Sequence, residues 1–393
     1  MERFEAKTID EITETLIDYR GKTPPKSNSG IRLVKAKVIK DGFVQDDRIE
    51  YIADETYDSW MHRGLPKKND IVLTTEAPLG EVAQLRTIEK IALAQRVILL
   101  RGNPNVIDQQ YYYQALKSPY VQAGLQRRAT GTTVLGIKQS ELRQVEIPYY
   151  PITTQRKIAT ILSAYDDLIE NNLRRIKILE EMAQNLYREW FVKFRFPGHE
   201  KVKFKDSSLG KIPEGWAVKK LGEILELNYG KALKQEERKD GNIPVYGSSG
   251  VVGHHDQHFV DGPGIIVGRK GNVGSVYWSD IPFYPIDTVY FVKSKIPLRF
   301  LYYDLQTKNF LNNDAAVPGL NRNQAYSLET IVPSTEILKV FCDFANSYEA
   351  GMAILRRKND VLRRTRDLLL PKLISGELDI SELDISIPEE VAA

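Results

Sequence analysis

The same ordered series of short motifs occurs twice in this 393-residue chain, about 185 to 210 residues apart. Glu11-Ile12 reaching Gly21-Lys22 is answered by Glu223-Ile224 reaching Gly230-Lys231. Ile71-Val72 followed by Gly80 and Val82 is answered by Ile265-Ile266 followed by Gly274 and Val276. Tyr112-Tyr113 and Leu116 pair with Tyr302-Tyr303 and Leu305, and Gly136-Ile137 before Ile147-Pro148 pairs with Gly319-Leu320 before Val332-Pro333. Two similar but unequal halves predict two similar domains and a ligand with two unequal halves.

Each copy runs into a heptad pattern. In residues 154–191, Ile158, Tyr165, Asn172, Leu179 and Leu186 recur every seven positions, interleaved with Leu162, Ile169, Ile176, Ala183 and Trp190. Such an a/d seam specifies a coiled-coil helix, about 55 Å long at 1.5 Å per residue. After Pro333 the set is Phe341, Tyr348, Leu355, Leu362 and Leu369, interleaved with Ala345, Met352, Asn359, Arg366 and Leu373. Pro371 is expected to break the backbone bonding near the end of that helix, and Gly376 to terminate it. The two seams can bury on one another as an antiparallel pair, or each can pack on its own globular half; a lone Asn in each would fix register. The fold class is therefore α+β. It has two mixed domains at 1–153 and 197–335, long helices at 154–196 and 336–376, and a tail at 377–393. The pairing predicts a pseudo-twofold circular arrangement. Within the first domain, residues 111–125 read as one helix capped by Asp108, and 298–310 as its counterpart. Asp166 and Asp167 lie on the first long helix and are expected to face solvent.

A single cysteine, Cys342, excludes a disulfide framework and a multi-cysteine zinc site. There is neither an apolar run of membrane-spanning length nor a secretory leader at Met1-Glu2-Arg3-Phe4-Glu5, so a cytoplasmic protein without a membrane partner is expected. The net charge of +3 leaves the class of partner open.

No nucleophile elbow, dinucleotide fingerprint or amino-methyltransferase signature occurs, and Gly21-Lys22-Thr23 lacks the earlier glycine of a phosphate loop. His254, His255 and His258 lie in a Gly-rich stretch that suits solvated loop histidines better than a metal, so no metal site is expected. Basic side chains concentrate instead in the predicted loops of both halves. They are Arg20, Lys22, Lys26, Arg96, Arg127, Arg128 and Lys138 in the first, and Lys231, Lys234, Arg269, Lys270, Lys308 and Arg322 in the second. Lys and Arg position phosphates, whereas Gln and Asn such as Gln95, Gln139, Asn272, Asn321 and Asn323 can read base edges. The Gly268-Arg269-Lys270-Gly271-Asn272-Val273-Gly274 segment is either an ordinary hairpin or a loop laid against phosphate oxygens.

Together, Gly230-Lys231, Val245-Tyr246-Gly247-Ser248-Ser249-Gly250, the Gly268–Gly274 loop, Pro285-Ile286-Asp287-Thr288, the helix ending Glu189-Trp190-Phe191 and Leu373-Ile374-Ser375-Gly376-Glu377-Leu378 resemble the DNA-specificity subunit of type I restriction–modification systems. The resemblance covers nearly the whole chain. It implies a non-catalytic reader of double-stranded DNA whose two target-recognition domains each read half of a split, asymmetric site. The helices would act as spacer and docking surface for two modification subunits, with restriction subunits completing the complex. No cofactor is implied in this chain; S-adenosylmethionine, ATP and Mg would reside in the partners. Thr74-Thr75-Glu76-Ala77-Pro78-Leu79-Gly80 departs from the second copy's Gly-Arg-Lys-Gly loop, which implies different contacts at the first half-site. Two other readings remain open from residues alone: a coiled-coil scaffold with two protein-binding heads, and the specificity part of a fused restriction–methylation protein.

Overall fold

The computed structural model describes residues 4–19, 23–45, 49–86, 89–310 and 319–387. The motif pairs fall on matching strands. In the first copy Thr13–Asp18, Val97–Gly102, Ile71–Thr75 and Leu79–Gln84 hydrogen-bond in that spatial order as an antiparallel sheet. In the second, Leu225–Tyr229, Val289–Ser294, Gly264–Gly268 and Val276–Ser279 repeat the order. Each copy adds a three-stranded sheet whose central strand, Ile31–Val34 or Ile243–Gly247, pairs antiparallel on one side and parallel on the other.

The continuous apolar runs of these strands follow from burial on both faces. Because successive side chains point to opposite faces, Ile71, Leu73, Ile98 and Leu100 enter one core, while Val72, Val97 and Leu99 enter another. The second copy splits in the same way. Ile265, Val267, Tyr290 and Val292 face the long-helix side, and Ile266, Val289 and Phe291 face the smaller sheet.

By contacts the chain divides into two units, Met1–Asn172 with Arg357–Ala393, and Leu173–Arg356. The division cuts through both long helices, Ile152–Tyr187 and Thr335–Ile374, so each unit holds one copy and a piece of each helix. The first helix closes with a π-helical turn over Arg188–Val192. The second continues through Pro371 to Ile374, so that proline does not end it; Gly376, at φ +69°, follows as the terminator. Among the described residues no helix is long and apolar enough to cross a membrane.

In the first unit the helix pieces pair antiparallel. Ile158, Leu162 and Ile169 are buried, Tyr165 and Leu369 half-buried, and Leu362 half-buried. Asn172 Nδ2 donates to Asn359 Oδ1 at 2.8 Å, and Asn359 Nδ2 to the Ile169 carbonyl at 3.3 Å. In the second unit Ile176 and Leu179 pack on Met352 and Leu355, and Phe341 is fully buried among Tyr187, Trp190 and Phe191, with Leu186 and Tyr348 at its margin. The sole thiol, Cys342, is buried in this core, and desolvation pushes its pKa up.

Two expectations fail. Residues 111–125 are not one helix but two, Gln109–Lys117 and Pro119–Arg128, because Pro119 forces Ser118 out of helical geometry and Ser118 then caps the second helix. Asp108 does cap the first, accepting from the Tyr111 amide at 2.8 Å. Nor does Asp166 face solvent: it is 0% exposed. Arg366 Nη1 donates to it at 2.6 Å, Gln114 Nε2 at 2.7 Å and Lys117 Nζ at 3.3 Å. Burial alone would raise its pKa, but Lys117 and Arg366 outweigh that and hold the carboxyl below its ordinary range. Asp167, one residue on, is the exposed member and pairs with Arg86.

A buried ion pair is costly to break one-sidedly, so Arg366→Met is expected to lower unfolding free energy by about 3–5 kcal/mol. The triple change Asp166→Leu, Arg366→Leu and Lys117→Met, which removes all the buried charges of the cluster, should recover most of that loss in urea denaturation. Lys117 gives a second test. Desolvation is the main cause that depresses its pKa from 10.5 to about 8. Between those values the unfolded chain binds more protons, so stability should rise with pH from about 8 towards 10. Above that, the buried phenols of Tyr112 and Tyr113, pushed well above their ordinary value, reverse the slope. Lys117→Met should flatten the rise in denaturation midpoint.

Candidate nucleic-acid interface

In the second copy the motifs singled out in the sequence meet at one end of the four-stranded sheet. Gly230 lies flat on the Pro285-Ile286 backbone: a Cβ there would sit 2.1 Å from the Ile286 oxygen. The Lys231 amide donates to the Pro285 carbonyl at 3.0 Å, which delivers an exposed lysine beside the hairpin. The amides of Arg269 and Lys270 both donate to the Thr288 carbonyl, at 2.9 and 3.1 Å. Gly268–Gly274 is a hairpin closed by Gly274 N to Gly268 O at 2.9 Å, and Lys270, Gly271 and Asn272 are exposed at its tip.

Arg269 does not project freely. Its guanidinium donates through Nε and Nη2 to the Asp287 carbonyl, at 3.0 and 2.6 Å, and lies 5.3 Å from the Tyr229 ring centroid. Arg322 approaches the same ring at 5.2 Å. Two cations on one half-exposed aromatic form a preorganised basic surface. Burial, reinforced by Tyr229, pushes the Tyr290 phenol beneath it up to about 12. Tyr229 escaped the sequence reading, although its position next to Gly230-Lys231 was a usable signal.

The first copy presents the corresponding place with other side chains. The Thr75 amide donates to the Arg96 carbonyl at 2.9 Å and the Ile137 amide to the Thr75 carbonyl at 3.0 Å. These bonds match Arg269 to Thr288 and Leu320 to Arg269. Isolated bridges Glu76–Gly136 and Lys270–Gly319 complete the correspondence. A cleft of about 260 Å³ opens here, lined by Thr75, Glu76, Gln95, Arg96 and Lys138 among others. Arg96 holds φ +71°, a conformation uncommon for residues other than glycine, and its Nε forms an ion pair with Glu76 Oε1 at 2.8 Å. Thr75 is 1% exposed, and its hydroxyl has no hydrogen-bond partner among the described residues.

Other expected residues lie elsewhere. Arg20 and Lys22 are outside the described residues. Lys26 is exposed and paired with Glu50 at 2.9 Å. Arg127 and Arg128 line a separate cleft of about 220 Å³ with Gln144 and Glu146. Lys234 is exposed at the start of a single 3-10 turn. Lys308 is largely buried, 3.1 Å from Asp304, in a cluster that also receives the Tyr187 and Thr330 hydroxyls. Asn321 caps the Arg322–Ser327 helix by accepting from the Asn323 and Gln324 amides, while Gln139 begins the Gln139–Arg143 helix. His255 accepts from the Lys239 amide and His258 pairs with Asp261. Among the described residues no cluster of His, Cys, Asp and Glu is placed to hold a metal.

Residues 1–181 and 213–364 match the family model of the type I restriction modification DNA specificity domain. The chain belongs to that family. It is 28% identical to the specificity subunit of the MjaIX type I restriction enzyme of Methanocaldococcus jannaschii, over 80% of this chain and 79% of the relative. It is 22% identical to the putative MjaX specificity subunit of the same organism, over 96% and 94%. The crystal structure of the type I restriction-modification S subunit from M. genitalium shares the fold, with a TM-score of 0.54 at 20% identity, covering 95% of this chain and 96% of that one. The two matched segments of the specificity family thus coincide with the two structural copies.

The close approach at Gly230 is directly testable. Gly230→Ala forces a Cβ against two backbone carbonyls and is expected to cost about 1–3 kcal/mol in denaturation.

Proposed function

We propose that this chain is the non-catalytic DNA reader of a type I restriction–modification complex, working in the cytoplasm. Each copy reads one part of a split, asymmetric duplex site. Methyl transfer, with S-adenosylmethionine, belongs to two modification subunits, and ATP- and Mg-dependent cleavage to restriction subunits. The observation that carries the reading is one backbone frame built twice with different polar side chains at the same tip: Thr75-Glu76 beside Arg96 and Arg269-Lys270 beside Tyr229. A protein that recognised one thing twice would keep its tips; a reader of two different sequences must change them.

The helices supply the second part of the proposal. In the first unit Leu168, Val361 and Leu368 are 52%, 65% and 62% exposed on helix faces turned away from the paired seam. In the second unit Ile178, Met182, Phe344 and Ile354 are similarly uncovered. Several uncovered apolar side chains on the helices of one unit suit the docking of a partner protein there. Such side chains on both units suit one modification subunit per unit.

Affinity for duplex DNA should fall steeply with salt, by about 10³–10⁵ between 50 and 200 mM if 6–10 phosphates are contacted. Fluorescence anisotropy on the full chain measures this, and salt-insensitive binding would favour a protein-binding scaffold. Lys231→Ala should weaken binding evenly across sequences and reduce the salt slope by about 1.

A further inference from the structure

The two tips differ in length but are anchored by matching backbone bonds, and at the matched bridge position they are chemical opposites. Glu76 and Lys270 occupy the same bridge position against Gly136 and Gly319, with the same flanking hydrogen bonds. An ionised carboxylate only accepts hydrogen bonds, and an ammonium only donates them. If the chain reads DNA as proposed above, on which this step rests, the two positions cannot serve the same contact.

A carboxylate at a tip is repelled by phosphate, so Glu76 is unsuited to gripping the backbone. Its ion pair with Arg96 offsets its charge as a polyanion approaches, while one Arg96 nitrogen at Oε1 leaves most of the carboxylate's acceptor capacity unused. The adjoining Thr75 hydroxyl, buried without a partner among the described residues, and Gln95 add polar groups to the same cleft. In the second copy Lys270 is exposed on a glycine-flanked tip, and Asn272 lies two residues on. In the major groove cytosine N4 and adenine N6 are donors, whereas guanine presents the acceptors O6 and N7.

We infer that Glu76 and Lys270 are specificity-determining residues that set opposite base-edge requirements at equivalent points of the two half-sites. Glu76 takes an exocyclic amino group of cytosine or adenine. Lys270 takes the acceptor edge of guanine. The asymmetry of the whole site thus contains one position where the two modules demand opposite hydrogen-bonding polarity.

The test is selection of bound sequences from a randomised duplex library by the full-length chain and its Glu76→Gln, Glu76→Lys, Lys270→Gln and Lys270→Glu variants. The wild type should enrich a split motif with an amino-bearing base in one half and guanine in the other. Glu76→Lys should exchange the first for guanine, and Lys270→Glu should exchange the second for cytosine or adenine. Each leaves the other half unchanged and shifts discrimination at that base about tenfold to a hundredfold. The two Gln variants keep side-chain size and remove the charge, so they carry the test if a reversal disturbs folding, which a thermal melt detects. They should relax only the corresponding base. Variants that bind and keep the wild-type motif overturn this inference alone. A wild-type chain that enriches no sequence overturns the DNA-reading function and this inference with it.

Discussion

A single carboxylate, Asp166, dictates much of how the first unit is built. A buried charge is tolerable only when partners surround it, and here they come from two distant stretches of sequence: Arg366 on the second long helix, and Gln114 with Lys117 on the helix after the sheet. Satisfying it requires the second long helix to return alongside the first in one register, and the helix after the sheet to lie against both. The Asn172–Asn359 bond, closer to the end of the unit, enforces the same register with neutral groups. Apolar side chains fill the rest of the seam but would tolerate a slip; these polar pairs would not. The second unit uses a related device, with Asp304 gathering Tyr187, Thr330 and Lys308 beneath its own helix.

This rigidity bears on recognition. The tips rest on strands buried on both faces and are tied by backbone bonds that any residue can make, so side chains there can change without altering the frame. Glycine is demanded where backbone lies on backbone, as at Gly230 against Ile286, or where φ is positive, as at Gly274. Frame and tip are therefore separable. A pair of copies can diverge in what they read while keeping the strand order, the helix pair and the uncovered apolar faces.

Much of this was legible in the sequence. The duplication placed both sheets, because buried β-branched runs such as Ile71-Val72-Leu73 and Ile265-Ile266-Val267 admit few alternatives. The heptads placed both long helices, and Asn172 and Asn359 do meet in the seam. The failures came from long-range chemistry. Asp166 reads as a solvent-facing carboxylate beside Asp167 until Arg366, 200 positions away, is seen against it. The exception is Pro119, a local signal that divides 111–125 into two helices. Among the candidate contacts, a list of cations could not separate Lys231 and Lys270 at the tip from Lys308, which serves a buried carboxylate, nor reveal that Asn321 is occupied in capping a helix.

The lone sulfhydryl has a use unrelated to recognition. Cys342 lies inside the second unit's aromatic core, protonated and shielded, and the chain contains no other thiol. A thiol-selective alkylating reagent must therefore wait for that core to open. The rate of alkylation is a clock for one unit, silent about the other, supplied by the natural sequence without an engineered probe.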